Sequence, residues 1–455
     1  MGKVRKSKRQ KKPDVPSDLI TELPRHVIDV IMEHLPLYDV ARMSVLSHKW
    51  LNIWRSIPKL VFDTQFFKQV FNKTTLTKVN TLEFYNIVSR ILLQHSGQIL
   101  RFHVNIPRIT SCPDLTPWIY YLSKNGVSDI CIQNQYQSPH KLSSHIFSCG
   151  NLEKLKLQSC IINPPHNFKG FGKMTCLDLD KTSLSSKAFK ILIRGSPLLQ
   201  ELRLTNFNRM QNVKIIAPNL CHLVVDGPFK KLYVRNAEKL VSAVICLQNH
   251  VEVSHQDRLR VLLQALATSS KLQKLAFGGH FVKTIYGMIL RAPTFEKLKN
   301  LELSSIHLNE VKEFCSIISI IQKCPAIERL NISVSTSKNE SDHQLEYNSS
   351  FVLQRLCYAN VKICNGSNME LRLIEFLLKC SPILKELSIT ASANSKRAFT
   401  QPVMFELVSF YRASQNVKIR CLSSVIDVSS SDSSSDDDDD SSKDDDSSED
   451  YSDSD

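Results

Sequence analysis

No stretch of this sequence holds the roughly 18 consecutive apolar residues that a membrane-crossing helix needs. Charged residues beginning at Lys3 leave no room for the apolar core of a signal peptide. A membrane partner is therefore not expected, and the chain reads as intracellular. Thirteen cysteines are present, yet no two stand as C-x-x-C and none combines with histidine at zinc-binding spacing. That excludes a redox dithiol or zinc finger as an organising element and predicts reduced, mostly buried thiols. The 14 histidines include no H-E-x-x-H pair, and His140, His145 and His166 fall in loop-like stretches. Gly170-Phe-Gly-Lys-Met-Thr175 lacks the spacing of a phosphate loop and precedes a strand instead of opening a helix. With no nucleophile, base and phosphate cradle in evidence, neither an enzyme nor a cofactor or metal is predicted.

What is present is an ordinary soluble composition, 42% hydrophobic and 22% charged, with a net charge of +14. The sum conceals three regions. Lys3, Arg5, Lys6, Lys8, Arg9, Lys11 and Lys12 form a basic cluster without hydrophobic periodicity, expected to be a solvated arm and a nuclear import signal. Residues 427–455 hold 14 acids against the single base Lys443, in a Ser/Asp-rich run expected to be disordered. The remaining body, with roughly 50 bases against 30 acids, is basic and favours acidic partners or nucleic acid nearby.

From Ser17 to about Leu60 the pattern is helical. Pro24 suits a first helical position, Val27, Ile28, Ile31, Met32 and Leu35 recur at three- and four-residue spacing, and Pro36 ends the run. Asp39 is placed to cap a second helix, and Ser47 a third that carries Trp50 and Trp54 one turn apart. About 45 residues bury too little surface to be self-sufficient, so something must cover part of this unit.

The second signal is a recurring L-x-x-L-x-L triplet. Leu152, Leu155 and Leu157 set it, and copies follow at 174, 199, 220, 240, 272, 298 and 327, with weaker ones at 99, 127, 353 and 384. The mean period is near 26 residues, within the leucine-rich-repeat range. Each triplet predicts a short strand whose last two apolar residues share one face. Connections such as Ser185 to Arg194 predict a short helix with Phe189, Leu192 and Ile193 inward and Gly195 at its end. Proline precedes several strands, at Pro197, Pro218, Pro325 and Pro382, where its missing N–H leaves the ladder intact. The fold class is thus α/β: three helices, then an irregular solenoid with a parallel sheet that offers a long concave surface.

The run Asp18-Leu-Ile-Thr-Glu-Leu-Pro24, with His34-Leu-Pro-Leu-Tyr-Asp-Val40, Ser44-Val-Leu-Ser-His-Lys-Trp50 and Trp54, resembles the F-box. Together with the repeats, and with Phe351 to Ile389, which is similar to the FBD domain, the chain resembles the plant F-box/FBD/LRR-repeat family. The resemblance implies a basic tail over 1–16, an F-box over 17–60 and a connection over 61–98. Repeats then span 99–390, FBD-like from 351, followed by a cap over 391–426. It further implies that the F-box binds a Skp-like adaptor and through it a cullin. Leu23, Pro24, Ile31, Leu35, Pro36, Val40, Val45 and Leu46 would face or support the adaptor, while Trp50 and Trp54 pack the third helix. Leu51 stands where the family often has Arg. The repeats would bind a target for ubiquitination, with Lys156, Arg203 and His222 between apolar strand positions as target-facing guesses. The competing reading is a nuclear scaffold for acidic proteins or nucleic acid with no ligase role, discriminated by steep salt dependence.

Overall fold

The computed structural model describes residues 23–72, 80–106, 114–135, 138–248, 256–337, 351–391 and 399–423. The basic cluster Lys3 to Lys12 and the segment 427–455 lie outside them. Helix α1 spans Arg25–His34, α2 Leu37–Met43 and α3 His48–Trp54. Pro24 and Pro36 each stand immediately before a helix, where the pyrrolidine ring presets the backbone and the missing N–H has no role. Asp39 therefore lies inside the first turn of α2, where its negative charge still favours the helix start, and is not its cap. Ser47 does cap α3, its Oγ accepting the Trp50 N–H at 3.2 Å. Ile28, Met32, Val40, Trp50, Ile53 and Trp54 close a small core that continues without a break into the repeats.

That continuity is covalent and immediate. Strand β1, Lys59–Phe62, leaves α3 after a four-residue link and pairs in parallel with Arg101–Ile106. Lys59 Nζ donates to Glu33 O at 2.9 Å and Arg25 Nη2 to Ser56 Oγ at 2.8 Å, tying α1 to the link. Behind the junction, Phe62, Phe67, Phe84 and Phe102 pack ring to ring, with centroids 4.8 Å apart for Phe67 and Phe84 and 5.8 Å for Phe62 and Phe102. Such pairs add about 0.5–1.5 kcal/mol each beyond their burial.

Among the described residues, fourteen strands form one parallel sheet in chain order. One row of partners runs through the sheet: Leu60, Phe102, Ile130, Leu155, Leu177, Leu202 and Leu223 are successive partners, and the row continues to Leu387 and Ile419. Each fully buried leucine contributes roughly 1.5–3 kcal/mol of apolar burial, and alternation turns the residues between them to the concave side. The sheet exceeds the expected repeat bounds at both ends, since β1 straddles the boundary expected between F-box and connection and the expected cap supplies Lys418–Ser423. One register also differs from expectation. The ladder at 353–363 runs through Leu356, Ala359 and Val361, while Tyr358 is exposed.

The outer side follows repeat length. Helix Ser186–Arg194 forms as the pattern predicts, capped by Ser185 and ending at Gly195, with Phe189, Leu192 and Ile193 buried. The three shortest steps, from Leu155 to Leu177, Leu202 to Leu223 and Leu223 to Ala243, carry no helix. Two of them instead place short strands outside, Asn212–Ile216 and Lys231–Arg235, paired in parallel. About 20 residues cannot hold a strand, two crossings and a helix of several turns. Toward the C-terminus, the fully buried Glu370 organises a turn: its carboxylate accepts the N–H groups of Cys364, Asn365, Gly366 and Ser367 at 2.6–3.2 Å.

Candidate binding surfaces

The three-helix unit buries one side of each helix and leaves a separate set of apolar residues in solvent. Val45 and Leu46, in the turn between α2 and α3, are 86% and 71% exposed. On α1, Val30 is exposed and Ile31 and Leu35 reach solvent over about a third of their surface, with Pro24 and Pro36 exposed at the helix boundaries. Leu23 is half-buried against the core. Of the eight anticipated adaptor residues, Val40 is the exception, because it is 3% exposed and supports α2 from within. Val30 was not anticipated. It falls outside the spaced set Val27, Ile28, Ile31, Met32 and Leu35, of which only Ile28 and Met32 are buried, so spacing by itself does not separate core from surface on α1. Trp50 and Trp54 are buried, and Leu51 is half-buried against the same core.

On the concave face, Lys156, Arg203 and His222 are all exposed, as alternation requires. Lys156 and Arg203 share one rung of the ladder with Asp178 between them, and Arg203 Nε lies 3.7 Å from Asp178 Oδ2. His222 sits one row away and its Nδ1 meets Ser242 Oγ at 2.8 Å. The acids of this face were missed by sequence reasoning, although Asp178 and Asp180 flank Leu179 in the same outward alternation. Burial pushes the Asp178 carboxyl above its ordinary range, against the pull of Arg203 and Lys156. Burial acts on Asp180 too, but Asn206, Thr205 and Gln158 donate to it at 2.7–3.0 Å and hold it below the ordinary range. Asp129 is likewise raised by burial and more strongly lowered by His103 and Arg101, which contact it at 3.0 and 2.9 Å. Beyond Arg203 the same rung turns apolar, through Val224, Val244 and Ala276, before Glu302. The surface is a mosaic of fixed charges around an apolar middle.

The remaining chemistry-like features have structural explanations. Gly170 adopts φ +106°, and a Cβ there would fall 2.0 Å from Gly195 Cα, so this glycine permits two backbones to touch. Phe171 beside it joins an aromatic cluster with Phe147 and Phe168. His140 lies in a short strand with its basicity lowered by burial, His145 contacts the Tyr120 ring edge-on, and His166 is exposed. The twelve described cysteines are free, six of them buried, and burial pushes the thiol of Cys149 up to about 12 and those of Cys131, Cys176 and Cys246 up to about 11. Among the described residues no group of three or more His, Cys, Asp or Glu could hold a metal ion, and no helix is long and apolar enough to cross a membrane.

These surfaces coincide with two family matches. The F-box domain model matches residues 20–62, which cover α1 to α3 and end at the last residue of β1. A model for the leucine-rich repeats of the FBD-associated F-box protein At5g56370 matches residues 115–263. The chain is an F-box protein with leucine-rich repeats. Its relatives include the F-box/FBD/LRR-repeat protein At1g13570 of Arabidopsis thaliana, 29% identical over 88% of this chain and 98% of that one. Another is the FBD-associated F-box protein At5g56370 of the same plant, 24% identical over 81% of this chain and 89% of its own. Among solved structures, an internalin from Listeria monocytogenes covers 78% of this chain and 92% of its own at 14% identity and a TM-score of 0.29, too distant to inform function. An F-box binds a Skp-like adaptor in general.

Proposed function

We propose that this F-box protein is the substrate-recognition subunit of a Skp–cullin–F-box ubiquitin ligase. The F-box engages the adaptor and, through it, the cullin, while the concave face holds a target protein. The chain performs no chemistry itself; it raises the effective concentration of the target near a charged conjugating enzyme. The observation that carries this reading is the exposure of Val45 and Leu46 beside the α1 residues on a unit whose core is already filled. Apolar side chains held at this exposure on a packed helix and the neighbouring turn match an interface centre, where a few anchors supply most of the affinity. The basic cluster from Lys3 to Lys12 is proposed as a nuclear import signal, for a chain that works in the nucleus and also in the cytoplasm.

The test is co-precipitation of the full-length chain with a Skp-family adaptor, comparing wild type with the double variant Val45→Glu, Leu46→Glu. Wild type is expected to bind, and the variant to lose about 30-fold or more in affinity, as befits anchors worth 2 kcal/mol or more. A wild type that binds none of the plant adaptors would sink the reading. The paired variant Lys156→Glu, Arg203→Glu is expected to keep adaptor binding and lose target capture.

A further inference from the structure

The outer face of the middle repeats differs in charge from the mixed concave side. Four neighbouring elements build it: helix Ser186–Arg194, strands Asn212–Ile216 and Lys231–Arg235, and helix Gln256–Thr268. The first helix packs on strand 212–216, the two strands pair, and the second helix packs on strand 231–235. Their inward residues, among them Phe189, Val213, Leu232 and Leu262, are buried. Lys187, Lys190, Arg194, Lys214, Arg235 and Arg260 are exposed. Asp257 is the one acid in the four elements. Lys214 and Arg235 both lie over the Tyr233 ring, at 5.3 and 5.0 Å from its centroid, which gathers the two cations around one half-buried aromatic. Among the described residues none of these cations is paired with a carboxylate. Other outer helices are balanced: Val311–Gln322 carries Lys312 with Glu313, and Asn368–Cys380 carries Arg372 and Lys379 with Glu370 and Glu375.

Like charges concentrated on one face repel one another and attract a polyanion. This chain contains one, the segment 427–455 with its 14 acids and single base. Its attachment point is strand Lys418–Ser423, seven strands along the sheet from His222–Gly227. Outer elements are spaced roughly 10 Å apart, so the Tyr233 cluster lies about 70 Å away at most. The residues after Ser423 reach about 105 Å when extended, at roughly 3.3 Å each.

We propose that residues 427–455 dock on this basic outer face of the same molecule, shielding it from other polyanions. The docking is electrostatic, and the Tyr233 cluster is its centre. The inference is independent of adaptor binding, because none of the F-box residues takes part.

Carbodiimide crosslinking of the full-length chain, read by mass spectrometry, tests it. Links are expected within one molecule from acids between Asp432 and Asp455 to Lys187, Lys190, Lys214 and Lys231. They should fall at least about tenfold at 1 M salt, where the screening length is roughly 3 Å. Reversing the centre with Lys214→Glu, Lys231→Glu, Arg235→Glu should reduce the links to Lys187 and Lys190 similarly. The neutral Lys214→Gln, Lys231→Gln, Arg235→Gln set should give an intermediate loss. Links that map instead to Lys3–Lys12, that join two molecules, or that persist unchanged in the reversed variant would overturn the proposal. So would binding of a polyuridine oligonucleotide by the wild-type chain that is lost in the reversed variant, without any tail links, which would assign the face to nucleic acid.

Discussion

The F-box and the repeats use the same apolar residue types in opposite ways. In the repeats, ladder positions such as Leu177, Leu202 and Leu223 are inaccessible, and alternation sends polar residues outward. In the F-box, the core is completed by Ile28, Met32, Val40 and the two tryptophans, and Val30, Val45 and Leu46 remain in water. Apolar content alone therefore does not distinguish structure from interface. The distinction lies in which residues the packed core encloses and which it leaves in solvent.

Four experiments probe that contrast, beginning with the largest effect. Leu223→Ala, in the centre of the ladder, is expected to destabilise the chain by about 2–5 kcal/mol, measured by denaturant unfolding. A loss below about 1 kcal/mol would mean that the ladder is loosely packed and the contrast with the F-box is false. Glu370→Ala removes the acceptor of four backbone N–H groups and should cost about 1–3 kcal/mol by the same measurement. By contrast, Val45→Glu with Leu46→Glu should change the stability of the isolated chain by no more than about 0.5 kcal/mol per site, although both residues are apolar. A large loss there would show that the turn is part of the core.

The smallest effect concerns acid sensitivity on the concave face. Asp129 is held below its ordinary range, so its contribution is present above the unfolded-state value and is lost as pH falls through the depressed native value. Asp178 is held above its ordinary range, so it opposes folding as pH rises through that window. Asp129→Asn should therefore weaken stability at neutral pH and flatten the acid limb, while Asp178→Asn should strengthen it. Equal signs in pH-dependent melting would refute the opposed environments.

The contrast also explains what could be read before the structure was known. Triplets such as Leu152-Leu155-Leu157 were legible because strand alternation and a repeating period act together on large apolar residues. Legibility failed where Ala359 holds a ladder position, because a methyl group carries little apolar signal and the neighbouring Tyr358 carries more. It failed again at Ile57, Leu60 and Phe62, a triplet of the same spacing hidden by the helical pattern that runs into it. The outer strands of the short repeats were not legible, since Asn212–Ile216 has no length in which to show a period. Val40 shows the limit at the site itself, because a family pattern marks which residues matter without saying which of them face out.

The direct passage from α3 into β1 bears on how such proteins can be recombined. Because Leu60 and Phe62 are already rungs of the sheet, and Phe62 packs on Phe102, a chimera cut at the end of α3 would strip the array of its first strand and open its aromatic seal. A transplantable recognition module must therefore begin with the link at Arg55, and a transplantable F-box needs a foreign strand to replace the one it leaves behind. In this architecture the handle and the blade are forged as one piece.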